Sequence, residues 1–294
     1  MGAVRGPDAL FDVGYAPLLD AVPDLERRDY LVVGAVDRGE DWIGCGGYYT
    51  GVFEKPWLGI PPTQHLVTMR HIEFFRIEGS KIVEMRLLWD IPEIMLQASA
   101  WPMPPSLGVD FHIPGPATGD GIVNTPYDPE QSTASMQLVL DMLDGLSRHA
   151  TGGPEAMHLE RYWHPKMNWY GPAGIGSNRR ISGFRNWHQI PFLTAMPDRV
   201  ARTKTGTYDC FFADANYVVY CGWPDMDATI SGDGWMGIAA ANQKITIASL
   251  DIWRCENGLL RENWVMIDLL DIYDQIGIDV LARMRELTVA RQTS

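Results

Sequence analysis

Two aspartates close two similar runs of this chain, Asp90 six residues after Glu84 and Asp268 six residues after Glu262. In Arg261-Glu-Asn-Trp-Val-Met-Ile-Asp268 the alternation puts Glu262, Trp264, Met266 and Asp268 on one face of a strand. If that face lines a cavity, Trp264 and Met266 are substrate-binding candidates and burial raises the pKa of Asp268, fitting it for proton transfer near neutral pH. The structural alternative is an acid that caps the helix beginning at Leu269, and spacing alone does not choose between them. In the other run the same face carries Glu84, Arg86, Leu88 and Asp90, so Arg86 stands where Trp264 does and is placed to neutralise Asp90. His188, beside Trp187 and one helical turn after Phe184, is a further acid/base candidate, weighed against a plain core histidine. Trp163, Trp169, Tyr170 and Trp187 read as a pocket wall or as core.

The elements that would position these residues occur twice. Pro17-Leu-Leu-Asp-Ala-Val-Pro-Asp24 recurs as Pro191-Phe-Leu-Thr-Ala-Met-Pro-Asp198, identical at five of eight positions. Phe74 to Asp90 returns as Trp253 to Asp268, and the order and spacing make the chain a tandem duplication. Strands are expected at Leu66 to Ile77, Lys81 to Asp90, Tyr217 to Cys221, Lys244 to Arg254 and Leu260 to Asp268. Gly79 and Asn257-Gly258 mark the tight turns of two hairpins. Helices are expected over Ser132 to His149, from its apolar stripe, over Pro154 to Tyr162, and from an N-cap at Ser182 through His188. Each unit thus reads as helices first and antiparallel strands after, an α+β order. Seven prolines in 102–129 mark a linker, which divides the chain into 1–101, 102–129 and 130–294. The first unit has no counterpart of residues 130–177, so either the first domain is reduced, with its apolar sheet covered by the second half, the linker or another subunit, or the true start lies upstream of Met1.

Composition narrows the partners. A net charge of −13 repels a phosphate backbone and argues against nucleic acid. Four cysteines without metal-ligand spacing, seven histidines without an HExxH arrangement, and the absence of a phosphate loop or dinucleotide fingerprint argue against a metal or nucleotide cofactor. The apolar runs are too short to span a bilayer, and no leader pattern opens the sequence, so a cytoplasmic protein with no membrane partner is expected. Eleven tryptophans, eleven tyrosines and fourteen methionines suit an apolar small-molecule pocket, or simply large cores.

Gly59-Ile-Pro-Pro-Thr63, Arg76-Ile-Glu-Gly-Ser-Lys-Ile-Val-Glu84, the terminal Trp89-Asp90 and Gln97 resemble the SnoaL-like polyketide cyclase family of the nuclear-transport-factor-2-like superfamily. Ala195-Met-Pro-Asp198, Glu262-Asn-Trp264, Asp268 and Gln275-Ile-Gly277 carry the same resemblance in the second copy. It implies two tandem cone-shaped α+β barrels, each a curved antiparallel sheet packed on helices around a pocket. It also implies ring closure by aldol condensation without a cofactor, with an acid similar in position to Asp268 and, by repeat, Asp90. The family's histidine before the Pro-Pro-Thr turn is not seen, and the second copy has Ala240-Ala241-Asn242 in place of that turn. The expectation is a homo-oligomeric cyclase, or a related lyase or isomerase, for an apolar carbonyl-bearing small molecule, with Asp268 as general acid/base in the complete second cone. Its rivals are a non-catalytic small-molecule binding protein of the same fold and a protein–protein module.

Overall fold

The computed structural model describes residues 2–292 and contains two curved sheets that meet back to back. The first unit opens with α1, which runs through Pro7–Leu10, a π-helical stretch Phe11–Tyr15 and Ala16–Ala21. An antiparallel meander follows, of β1 (Glu26–Asp37), β2 (Glu40–Val52), β3 (Leu66–Glu78) and β4 (Lys81–Trp89), closed by the short α2 (Ile91–Gln97). The second unit adds the long α3 (Pro129–Ser147), β5 (Trp163–Tyr170) and β6 (Asn178–Arg179) ahead of the repeated part. Then come α4 (Arg180–Phe184, a π-helical stretch Arg185–Gln189, and Ile190–Ala195), β7 (Val200–Ala201), β8 (Cys210–Asp214), β9 (Tyr217–Ile230), β10 (Gln243–Glu256), β11 (Leu259–Ile267), α5 (Leu269–Gln275) and α6 (Val280–Gln292).

The duplication is repeated in local detail. Pro17 and Pro191 each lie inside a continuous helix, two residues after a π-helical stretch, where the missing N–H interrupts the regular hydrogen-bond ladder. Trp57 and Ile60 exchange backbone hydrogen bonds around Gly59, and Trp235 and Ile238 do so around Gly237, with φ of 81° and 78° at the two glycines. Arg76 donates to Glu84 at 3.2 Å, and Arg254 donates to Glu262 at 2.7 Å. Gln97 clasps the backbone of Thr68 just as Gln275 clasps that of Thr246. These pairs fix the register: Phe75 and Ile77 correspond to Trp253 and Cys255, and Glu73 corresponds to Asp251.

Several boundaries differ from the sequence reading. The long helix begins at Pro129, with the Asp128 carboxylate capping Gln131 N at 3.0 Å. Pro154 to Tyr162 holds two 3₁₀ turns rather than a helix, because His158 between them is left-handed with φ 47°. Ser182 lies inside α4, whose N-cap position is Arg179.

Each sheet has an inner face, toward its helices, and an outer face. Leu31, Val33, Trp42, Ile72, Phe74 and Leu88 of the first sheet meet Tyr217, Val219, Leu250, Ile252, Trp264 and Met266 of the second in one shared core. Contact is close at β2, where a Cβ on Gly44 would lie 2.6 Å from Val219 Cγ1, so glycine is required there. Residues 98–128 carry no helix or strand, yet they are stitched to both units. Val32 donates to Gly121 O and accepts from Val123 N on either side of Ile122, and Val109 bridges Ser177. Arg70 completes the joint: it is buried and donates to the carbonyls of Tyr170, Gly171 and Val265 and to Asp90. Among the described residues the first unit has no equivalent of α3 and β5, and β4 is one edge of its sheet.

Candidate functional site

The inner faces of the two sheets hold different polar groups at the same level. In the second unit, β9 carries Tyr220 inward, and a bulge over residues 223–225 turns Asp225 toward it. The Tyr220 hydroxyl donates to Asp225 Oδ1 at 2.9 Å. On β10, Asp251 accepts from Ser249 Oγ at 2.7 Å and from Asn263 Nδ2 at 3.2 Å. Phe211, Trp253 and Val265 pack around this group, and α3 covers the sheet. Burial pushes the Asp251 carboxyl up to about 6. Burial and the neighbouring Asp251 charge push Asp225 up to about 7. Two carboxyls in a dry, aromatic-lined interior are thereby set near neutrality, the range that general acid/base work requires.

In the first unit the corresponding position is Glu73, which is saturated. Its Oε1 accepts from the Tyr49 hydroxyl and the Trp89 indole, each at 3.0 Å, and its Oε2 from Arg27 at 2.5 Å. Arg27 also holds Asp29, whose Oδ1 lies 3.3 Å from His71 Nε2. His71 is fully buried, and burial together with Arg27 pushes its pKa down to about 3, so the imidazole is neutral. This network is built to hold charge in place.

The residues singled out by sequence fall into separate places. Asp268 Oδ1 accepts from Asp271 N at 3.1 Å and caps α5, with its pKa raised by burial. Glu262, Trp264 and Met266 face the other sheet rather than the cone interior: the Trp264 indole donates to Pro114 O and Met266 lies in the shared core. Tyr170 stands there too, its hydroxyl donating to Glu262 at 3.2 Å. Asp90 pairs with Arg70 at 3.3 Å and accepts from Ala173 N at 3.0 Å. Arg86, expected to neutralise Asp90, instead meets Glu84 and Asp209, because it projects from the outer face toward the second unit.

His188, Trp169 and Trp187 do come together. The His188 ring stacks on Trp169 at 3.9 Å and lies between Phe184 and Phe192. Burial pushes its pKa down to about 3, and its Nδ1 has no hydrogen-bond partner. Trp163 is buried behind, against Phe184. A cavity of about 200 Å³ opens at His188, lined also by Trp187, Trp235, Met236 and Ile175 and roofed by Pro104, Pro105 and Leu107. Asp225, Asp251 and Glu73 were missed by sequence reasoning. The available signal was an acid at an inward position of an otherwise apolar strand, in both copies at one register.

Among the described residues, no group of three or more His, Cys, Asp or Glu side chains is placed to hold a metal ion, and no helix is long and apolar enough to cross a membrane. The family model described as SnoaL-like polyketide cyclase matches residues 2–98 and 150–276. No curated protein matches the chain. Similar solved structures include TsrD from Streptomyces laurentii, 22% identical over 48% of this chain and 96% of that one, with a TM-score of 0.37. An NTF2-like protein from Burkholderia xenovorans LB400 is 14% identical over 49% of this chain and 96% of its own, with a TM-score of 0.37. A SnoaL-like polyketide cyclase from Agrobacterium tumefaciens str. C58 is 15% identical over 49% and 98%, with a TM-score of 0.36.

Proposed function

The chain belongs to the SnoaL-like polyketide cyclase family, and from that premise we propose that it is a cofactor-independent cyclase, or a related lyase or isomerase, for an apolar small molecule bearing carbonyl groups. Asp251 and Asp225 are the acid/base pair of this reading. The observation that carries it is the placement of two buried carboxyls, each hydrogen-bonded to a hydroxyl, on the inner face of the second cone. A carbon next to a carbonyl is acidic enough for Asp251, once ionised, to take its proton. Asp225 retains its own proton to higher pH and supplies one to the developing oxyanion. Tyr220, Phe211 and Trp253 pack together beside the pair and keep it out of water. In this reading Asp268 caps α5 and Asp90 secures the joint between the units, and neither transfers a proton.

The test is hydrogen–deuterium exchange at the enolisable methylene of α-tetralone, an apolar ketone, followed by proton NMR. Wild type is expected to exceed buffer, Asp251→Asn to lose at least about a hundredfold of that rate, and Asp268→Asn to stay within about threefold. Loss from Asp268→Asn with Asp251→Asn unchanged overturns the assignment, and no acceleration for a panel of bicyclic ketones overturns the reaction class. A second reading rests on the His188 cavity, whose lining residues include no carboxylate. That composition favours retention of an apolar ligand without chemistry, with His188 as a neutral hydrogen-bonding group. Tight ketone binding abolished by His188→Phe, with no exchange, selects it.

A further inference from the structure

The inner face of the first sheet lacks the cover that its own repeat possesses. In the second unit α3 lies across the corresponding strands and buries Ser132, Ser135, Val139, Met142 and Gly145 on the side facing them. Beneath it Val218, Trp253 and Cys255 are no more than 5% exposed. The residues at the same register in the first sheet are Ile43, which pairs with Phe75 as Val218 pairs with Trp253, and Ile77. Met85 follows Glu84 as Asn263 follows Glu262. Ile43, Phe75, Ile77 and Met85 form one apolar trough. All four are half-buried and belong to neither hydrophobic core, and Val36 and Val83 stand exposed at its rim.

The first hairpin runs two residues farther on each strand than the second before it turns, since Ile43 lies three residues after Glu40 and Val218 one after Tyr217. Ala215, the turn residue that exchanges hydrogen bonds with Ser132 and Ser135 of α3, has φ 49°. Arg38, the turn residue of the first hairpin, has φ 51°. The apolar face that seats a helix is present twice, and α3 fills one of them.

We infer that the trough of the first sheet is the docking site for an amphipathic helix supplied by another protein, with an apolar stripe of the α3 type. The chain itself defines the occupant's chemistry: small residues toward the hairpin turn, then valine, methionine or leucine at intervals of three and four residues, as in Ser132, Ser135, Val139 and Met142. A helix is the occupant because the repeat covers the equivalent face with one, whereas an isolated strand would satisfy the edge of β4 and leave the trough open.

The probe is a fluorescent peptide of residues 129–147 held helical by a lactam between Asp141 and a Gln137→Lys substitution. Both positions are on the exposed side of α3, where Gln137 already donates to Asp141 at 2.8 Å. Titrated with the full chain and read by anisotropy, it is expected to bind with a Kd of roughly 10 μM. Phe75→Glu, and separately Met85→Lys, should each weaken binding by at least about tenfold, as should Val139→Glu in the peptide. Circular dichroism and a retained thermal transition establish that the protein variants remain folded. Absence of saturable binding up to millimolar protein overturns the inference, and so does binding indifferent to both protein substitutions. A wild-type dimer in sedimentation that Phe75→Glu converts to monomer would assign the trough to a second copy and also overturn it.

Discussion

The two cones carry an acid at the same register and treat it in opposite ways. Glu73 is surrounded by donors, with Arg27, Tyr49 and Trp89 all within hydrogen-bond distance. Asp251 has only the uncharged Ser249 and Asn263, with Asp225 nearby as a competing negative charge. A carboxylate compensated by a guanidinium is a poor proton carrier and a good structural tie. A carboxyl without a cation is expensive to ionise and so titrates near neutrality. Duplication thus leaves one scaffold with two floors, one fixed by charge pairing and one that the proposed function uses for proton transfer.

The sharpest way to break that comparison is to neutralise both acids. Asp251→Asn removes a proton carrier and should leave the fold at least as stable as wild type, while ketone exchange falls by about a hundredfold or more. Glu73→Gln leaves Arg27 without its buried partner and should lower unfolding free energy by about 3–5 kcal/mol, with the second cone's exchange rate per folded molecule nearly unchanged. Urea unfolding and exchange rates on the same preparations decide it. Matching losses of rate from the two variants would mean that the floors do not differ in function.

The joint between the cones is the next largest effect. Arg70 faces Asp90 and also lies close to Glu93, whose pKa is pushed up to about 8 by burial and by Asp90. Arg70→Met removes the cation and unsatisfies three carbonyls of the second unit, so a loss of about 3 kcal/mol or more is expected. The cones should then unfold in two resolved steps. A single unshifted transition would show that the shared apolar core alone holds them together.

Much of this arrangement was legible beforehand. The duplication was legible because Pro17-Leu-Leu-Asp-Ala-Val-Pro-Asp24 recurs as Pro191-Phe-Leu-Thr-Ala-Met-Pro-Asp198 in the same order relative to the strands that follow. The hairpins at Gly79 and Asn257-Gly258 followed from left-handed turn chemistry, with φ 62° at Gly79 and 74° at Gly258. The working face was not legible. Glu262, Trp264 and Met266 alternate, as any half-buried strand does, but alternation does not say which side is the inside when both faces of a sheet are covered. Here the outer face is buried by the other sheet, so apolar company around Glu262 marked the shared core and not the cone. β1 and β2 went unread because glycines and tyrosines at Gly44, Gly46, Gly47, Tyr48 and Tyr49 blur the pattern; Gly44 and Gly46 serve close packing with the second sheet, and Gly47 the close approach of β1.

The floors should also separate in their pH response. Asp251 and Asp225 have folded pKa values of about 6 and about 7, above the ordinary value of 3.8, so the folded state holds more protons than the unfolded chain between these limits. Their contribution to stability is complete below about pH 4 and is lost as pH rises through 6 to 7. His71 is the reverse: its folded pKa of about 3 lies below the ordinary 6.5, so its contribution is complete above pH 6.5 and lost as pH falls toward 3. His188 adds to that acid limb from the second cone. Denaturant midpoints from pH 4.5 to 7.5 should show Asp251→Asn flattening the upper limb by roughly 2 kcal/mol while leaving the acid limb in place. A variant that flattens neither limb would place the origin of the upper limb elsewhere.

The smallest effect expected is an equality. Gln97 Oε1 accepts from Thr68 N at 2.9 Å while its Nε2 donates to Thr68 O at 2.6 Å. Gln275 makes the same pair of bonds to Thr246, both at 2.8 Å. Each glutamine ties the helix after the last strand to the strand before it, at the solvent-facing rim of its cone. Two exposed hydrogen bonds contribute about 1 kcal/mol net, because water competes for every group involved. Gln97→Ala and Gln275→Ala should therefore each lower stability by about 1 kcal/mol and differ by less than about 0.5 kcal/mol. Agreement between them means that the two cones diverged at their floors while their frames kept the same energetics. A clearly larger loss at Gln275 would instead mean that the long α3 and the added β5 make the second frame depend on that clasp more than the first does.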